Sequence, residues 1–191
     1  MPTPHPHPAV DTASGEPWPI DTPRLRLRRM QAADVAGFAA YRADPALARY
    51  QGWSPLSPAQ AARFIESMQD QPGFIEETWL QITIATRSTD AIVGDIGLCL
   101  HAEGEVEIGF TLATSCHGKG YATEALGALA DALWRRSGIE RLIAVVDARN
   151  EACVRVLQRL GMRQVASTAT VFKGEPCTEL RYALEAPRSR A

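Results

Sequence analysis

Between residues 105 and 146 the hydrophobic period changes twice, and this switch restricts the fold more than any other feature of the chain. Over 105–113, EVEIGFTLA, the apolar Val106, Ile108, Phe110 and Leu112 alternate with Glu105, Glu107, Gly109 and Thr111, the period of two that a strand requires. Over 120–136, Ala122, Ala125, Leu126, Leu129, Ala130, Leu133 and Trp134 fall on one helical face. Arg135 and Arg136 suit the last turn of such a helix and Gly138 its C-cap. The run LIAVV at 142–146 is wholly apolar, as expected of a strand buried on both faces. Strand, helix and strand in that order make a crossover between parallel strands, so part of the sheet is predicted to be parallel.

The remaining segments fit around that unit. Leu25 and Leu27 alternate with Arg24, Arg26 and Arg28 after Thr22, a half-buried strand. A helix is predicted over 31–42, with Val35, Phe38 and Ala39 at helical spacing, closed by Asp44-Pro45. Ser57-Pro58-Ala59-Gln60 reads as a helix start, with Ser as cap, Pro at the first position and Gln completing a capping box. Ala61, Phe64, Ile65 and Met68 then supply its buried stripe. Strands are predicted over 79–86 and 91–100, joined at Ser88-Thr89-Asp90. A helix over 150–160 is capped by Asn150 and stopped by Gly161, and strands over 163–172 and 178–184 complete the order β-α-α-β-β-β-α-β-α-β-β. The expected class is α/β (α+β), a mixed and mostly antiparallel sheet with helices on both faces.

With 191 residues and 46% hydrophobic content the chain can bury one good core, and two domains would be cramped. Residues 1–19 alternate Pro with small and polar residues and read as an extended or disordered tail. The domain is expected over 20–186, with a short tail at 187–191. His5 and His7 lie in the Pro-rich tail, where composition alone gives little support for a metal site. The 20 basic and 22 acidic residues, formal net charge -2, argue against a nucleic-acid surface. No apolar run approaches the roughly 20 residues of a membrane-spanning helix, and the N-terminus lacks the pattern of a secretory signal. Cys99, Cys116, Cys153 and Cys177 are dispersed, with no C-x-x-C pair and no His at a ligand-like spacing. Neither a metal site nor a disulfide framework is expected, and the cytoplasm is the simplest compartment.

The loop His117-Gly118-Lys119-Gly120 joins the strand at 105–113 to the following helix. Two glycines let the backbone turn sharply, and the amides from Gly118 to Ala122 would open at the helix N-terminus, a cradle suited to pyrophosphate. Ala113 stands where a Walker A loop needs its first glycine, and Thr123 where a dinucleotide fingerprint needs its third. On this pattern alone an ordinary strand-to-helix turn is an equal alternative.

The wider wording narrows the choice. His117-Gly118-Lys119-Gly120-Tyr121-Ala122 resembles the acetyl-CoA signature of the GNAT superfamily, Gln or Arg followed by x-x-Gly-x-Gly or Ala, with His117 departing at the first position. GKGYATEA at 118–125, DTPRLRLRR at 21–29, YQGWSPLS at 50–57 and NEACVRVLQRLGM at 150–162 are similar to its RimJ/RimL-like branch, in the expected order over about 20–185.

The resemblance implies a sheet splayed in the middle, with acetyl-CoA entering the gap. The main chain of Phe110, Thr111 and Leu112 would pair with pantetheine, and the loop of His117, Gly118, Lys119, Gly120, Tyr121 and Ala122 would hold the pyrophosphate. Lys119 reads equally as a solvated lysine, and Asn150 as a cofactor contact, an N-cap or both. The family often places a basic carboxylate at the position of Glu107, which alternation sets apart from the four apolar side chains of its strand; a solvated carboxylate is the alternative. Its usual tyrosine acid is replaced by Leu157. Cys153, in place of a usual Ser, either assists or packs in the core, and Tyr182 is a remote second candidate, so no acid is named. Tyr50, Trp53 and Trp79 either wall an amine pocket or pack in the core. The implied partners are acetyl-CoA and an amine substrate, with no nucleic acid, membrane or metal, and a homodimer through edge-strand pairing is compatible. The expected activity is N-acetyl transfer; the rivals are a non-catalytic acyl-CoA-sensing module and a Rossmann-type nucleotide domain.

Overall fold

A computed structural model describes residues 16–136 and 138–187; the expectations for residues 1–15 and 188–191 lie outside the described residues. Short strand β1 (Ile20–Asp21) and β2 (Leu25–Arg29) lead through a 3₁₀ turn into α1 (Val35–Arg42), α2 (Pro45–Ala48) and α3 (Pro58–Asp70). The antiparallel run β3 (Trp79–Thr86), β4 (Ile92–Leu100) and β5 (Glu105–Leu112) follows. Then come α4 (Tyr121–Leu133), β6 (Arg141–Asp147), α5 (Glu151–Arg159), β7 (Arg163–Phe172) and β8 (Glu175–Glu185). The sheet order is β1-β2-β3-β4-β5-β6-β8-β7. Every neighbouring pair is antiparallel except β5 and β6, the pair that the α4 crossover joins.

The predicted capping box is present: Gln60 N–H donates to Ser57 Oγ at 3.3 Å and Ser57 N–H to Gln60 Oε1 at 2.8 Å. Asp44-Pro45 closes α1 but also starts a helix. Asp44 Oδ1 accepts from Ala46 N–H at 2.8 Å, and Pro45 at the first position opens the single turn of α2, too short to show a period. α4 ends at Leu133, so Arg135 and Arg136 lie beyond it, and Gly138 takes its left-handed φ of 82° in the turn that follows. Trp18 packs against the core ahead of β1.

Two cores flank the sheet. The larger, under α4 and α5, gathers Leu25, Ile82, Ile96, Leu98, Val106 and Leu126 among others. The smaller lies under α1 and α3 around Met30, Phe38, Ala61 and Ile65. On that second side two buried ion pairs tie helices to strands. Arg28 binds Asp34 at 2.7 Å, and Arg42 binds Asp95 at 2.5 Å. Burial works to raise the Asp34 carboxyl, but hydrogen bonds from Arg28, the Gln31 amide and Thr83 outweigh it and hold the pKa below the ordinary value. The Tyr41 hydroxyl donates to Asp95 at 2.6 Å, and burial beside that carboxylate lifts the phenol well above its usual range. No helix among the described residues is long and apolar enough to cross a membrane.

The sheet opens in the middle. β5 pairs with β6 only through Glu105↔Arg141, Val106↔Leu142 and Glu107↔Ile143, so Ile108 to Leu112 have no β6 partner. This separation corrects one expectation. The 142–146 run is not buried on both faces, because Val145 lies past the fork and is 42% exposed.

Candidate functional site

The fork in the sheet leads into a cleft of about 480 Å³. Phe110, Thr111 and Leu112 of β5 form one wall, and Asn150, Cys153 and Val156 at α5 the other. His117, Gly118 and Gly120 close the end nearest α4, together with Tyr121, Ala122 and Thr123 of its first turn. Tyr50 and Gln51, just after α2, complete the rim.

Local sequence explains the α4 end. Gly118 and Gly120 both adopt the left-handed region, with φ of 73° and 76°, a conformation that glycine tolerates without steric penalty. Gly120 is the N-cap of α4 and brings no capping side chain. The first intrahelical bond runs from Glu124 N–H to Gly120 O at 3.1 Å, so the amides before it have no partner within the helix. They end in the cleft, where the helix dipole favours an anion. His117 is turned another way, with Nε2 3.0 Å from the Leu112 carbonyl. Lys119 is absent from the cleft wall, and its carbonyl accepts from Arg24 Nη1 at 2.8 Å.

The fork also places Glu107. It is the last β5 residue paired to β6, and alternation sets it with Gly109 and Thr111 on the α1 side of the sheet. Its Oε2 stands 3.2 Å from His101 Nε2, and the other ring nitrogen, Nδ1, stands 3.0 Å from Glu77 Oε1. The hydrogen bond with Glu77, supported by the one with Glu107 and opposed by burial, raises the imidazole pKa above its ordinary value. Glu77, Cys99 and His101 offer ligand atoms within 4.8 Å of one another, a grouping that dispersed cysteines did not suggest. Beside Glu107, Gly109 pairs with Gly97 across β4 and β5. A Cβ on Gly109 would meet nothing within 4 Å, whereas one on Gly97 would lie 3.1 Å from the Trp79 ring. The strand floor next to Glu107 is therefore bare, with an indole along one side.

Of the expected site residues, the structure gathers Phe110, Thr111, Leu112, His117, Gly118, Gly120, Tyr121, Ala122, Asn150, Cys153 and Tyr50 around one cleft. Glu107, Trp53 and Trp79 stand outside its wall. Trp79, 44% exposed, is not a core residue. Trp53 is half-buried, stacked 4.3 Å from the Arg42 guanidinium. Asn150 caps α5, accepting from Cys153 N–H at 3.3 Å. Burial pushes the Cys153 thiol up to about 12. Leu157 and Tyr182 are buried in the core.

Sequence reasoning missed Gln51, whose side-chain amide donates to Phe110 O at 3.4 Å. It also missed Arg155 and Arg159 on the cleft wall, and His101 and Glu77. The two arginines are four apart on one helix face and open to the same side as the loop, a spacing that could have flagged them.

A family profile described as "Acetyltransferase (GNAT) domain" matches residues 24–163. The chain is 28% identical over 146 residues to the uncharacterized N-acetyltransferase p20 of Bacillus licheniformis, covering 75% of this chain and 81% of that protein. Its fold is similar to that of a GNAT-family acetyltransferase from Bacillus anthracis, with a TM-score of 0.78, 21% identity and coverage of 87% and 98% of the two chains. It is also similar to RimJ of Mycobacterium smegmatis in complex with CoA-disulfide, with a TM-score of 0.75, 20% identity and coverage of 92% and 91%.

Proposed function

The chain belongs to the GNAT acetyltransferase family, and on that premise we propose that it is a member of the RimJ/RimL-like branch and transfers the acetyl group of acetyl-CoA to a primary amine by direct attack in a ternary complex. The acceptor is a small molecule or a protein N-terminus. The observation that carries this reading is the fork between β5 and β6, which opens onto the uncapped N-terminus of α4. An unpaired strand edge and a set of free amides, set end to end, suit a ligand with a peptide-like arm and a pyrophosphate. The RimJ neighbour, of the same fold, is complexed with a CoA species.

The chain's own groups divide the work. Ile108 to Leu112 offer main-chain donors and acceptors to the pantetheine amides, as to an added strand. The amides from Gly118 to Ala122 receive the pyrophosphate, and Arg155 and Arg159 bring positive charge to the cleft wall. Glu107 takes the proton that the attacking amine must lose as its nitrogen bonds to the thioester carbon. As the C–S bond breaks, sulfur leaves with the electron pair. Cys153 gives no useful acid for that step: a thiol with a pKa of about 12 does not protonate a thiolate whose own acid has a pKa of about 8.5. The leaving group therefore departs as thiolate and takes its proton from water. The acceptor lies over bare Gly109, with Trp79 beside it and the Tyr50–Trp53 segment above. The free outer edge of β7 supports pairing with a second copy.

The test is thiol release from acetyl-CoA in the presence of a panel of amines that includes polyamines, amino sugars and N-terminal peptides. Turnover with one class, lowered about 10²- to 10⁴-fold by Glu107→Gln, is the expected result. CoA binding without turnover of any amine would favour an acyl-CoA-sensing module instead.

A further inference from the structure

Arg24, at the approach to β2, makes four polar contacts and one stacking contact with the glycine loop and the first turn of α4, although it precedes them by 95 residues or more. Its Nε donates to Glu124 Oε2 at 2.6 Å, and its Nη2 lies 2.6 Å from the same oxygen. Its Nη1 donates to the Lys119 carbonyl at 2.8 Å. Its backbone N–H donates to Glu124 Oε1 at 3.0 Å, an oxygen that also accepts from the Thr22 hydroxyl at 2.6 Å. The guanidinium stacks on Tyr121, 4.8 Å from the ring centroid. Its Nη2 is the single neighbour, at 3.5 Å, of a Cβ built on Gly120. Burial alone would raise the Glu124 pKa, yet bonds from Thr22, the Arg24 amide and the Arg24 guanidinium hold it below the ordinary value, so the carboxylate stays charged opposite its partner.

The consequence lies in one peptide plane. In a trans peptide the C=O and the next N–H point in opposite directions. Binding the Lys119 carbonyl to Arg24 therefore aims the Gly120 N–H away from Arg24, toward the cleft that Gly120 lines. The loop does not fix this orientation itself. Glycine is permissive on both sides of φ = 0, so the plane between Lys119 and Gly120 can turn over at little steric cost and would then present a carbonyl to the ligand. We infer that Arg24, locked by Glu124, is the positioning residue that holds the Lys119–Gly120 peptide with its N–H directed at the cofactor pyrophosphate. The inference rests on the cofactor reading above and adds to it the reason why a strand-opening arginine accompanies a glycine loop 95 residues away.

The experiment is calorimetric titration of CoA into the wild-type chain and into Arg24→Gln, Arg24→Lys, Glu124→Gln and the Arg24→Gln/Glu124→Gln double variant. The Gly120 amide is followed in parallel by ¹H–¹⁵N NMR. Losing one well-aimed hydrogen bond to a charged group predicts about ten- to hundredfold weaker CoA binding in Arg24→Gln. Glu124→Gln should weaken binding in the same direction, and the double variant should fall short of the sum, because the pair acts as a unit. The Gly120 N–H should move downfield with CoA in the wild type and not in Arg24→Gln, a response that a purely structural role would leave unaltered. Arg24→Lys keeps the charge without the forked geometry, and supplies the comparison if Arg24→Gln fails to fold. CoA affinity within about twofold of wild type in a folded Arg24 variant overturns the inference while leaving the cofactor reading intact. Absence of CoA binding by the wild type removes the cofactor reading and the inference with it.

Discussion

His101 Nε2 lies 3.2 Å from Glu107 Oε2, and its Nδ1 lies 3.0 Å from Glu77 Oε1, so one imidazole bridges the carboxylate at the sheet fork to a carboxylate at the surface. The ring is oriented at both nitrogens. Because Glu77 and Glu107 raise its pKa above the ordinary value, the proton is bound more tightly in the native state than in the unfolded chain. The stabilisation is complete below the unfolded value of about 6.5 and is lost as pH rises through the raised native value. The stability advantage of wild type over His101→Gln should therefore shrink between pH 5.5 and 8.5, as read by urea denaturation. Its size is under about 1 kcal/mol, since the groups are partly solvated. A difference that does not change with pH would show that the ring carries no linked proton.

Cys153 lines the cleft and yet is predicted to be chemically quiet. With its pKa pushed up to about 12 by burial, the thiol is almost wholly protonated at pH 8, and the thiolate is the reactive form. Iodoacetamide should label Cys153 far more slowly than a free cysteine, as read by peptide mass spectrometry. Cys153→Ala should retain turnover within a few-fold. Rapid labelling at neutral pH would contradict this assignment.

Asp95 is wholly buried and receives Tyr41, Arg42 and Gln81 at once. Asp95→Ala leaves Arg42, only 4% exposed, without its counter-charge. The expected loss is about 3–5 kcal/mol by denaturant unfolding. Arg42 also stacks on Trp53, so the same variant should loosen the Tyr50–Trp53 segment. A loss under about 1 kcal/mol would mean that water reaches the pair.

Lys173, at the β7–β8 turn, reaches back across 120 residues or more to donate from Nζ to Ala48 O and Trp53 O, each at 2.8 Å. Lys173→Met keeps the aliphatic stem and removes both bonds. Proteolysis within 49–56 should be faster and the KM for the acceptor raised, by more than any loss of CoA affinity at the cleft rim that Tyr50 and Gln51 share. Equal effects on acceptor and CoA would place the hairpin's role elsewhere.

Local patterning predicted most of the fold. The change of period between 105 and 146 announced the parallel pair, and Ser57 with Gln60 marked the start of α3 to the residue. The glycine loop was likewise readable, since left-handed backbone at 118 and 120 calls for glycine. What escaped was set by contacts distant in the chain. Nothing near Arg24 announces that it meets Glu124, and Val145 looks like core until β5 departs from β6. His101 drew no notice in the sequence because its partners, Glu77 and Glu107, come from two other segments. Trp79 was undecided between pocket and core, and the sequence did not show that its ring lies against Gly97 of the neighbouring strand with one side left exposed.

Acetyl-CoA binding at the fork is read most simply from thermal unfolding of the full chain with and without acetyl-CoA, beside Gly120→Glu. A ligand that binds only the native state, at about 100 times its dissociation constant, adds about 2.7 kcal/mol. Tm should rise clearly for the wild type and not for Gly120→Glu, where a side chain at the left-handed φ of 76° strains the loop and sets a negative charge beside Arg24 at the edge of the pyrophosphate cradle. An unchanged wild-type Tm with both acetyl-CoA and CoA would contradict it, leaving the forked sheet and its open helix end without the ligand assigned to them.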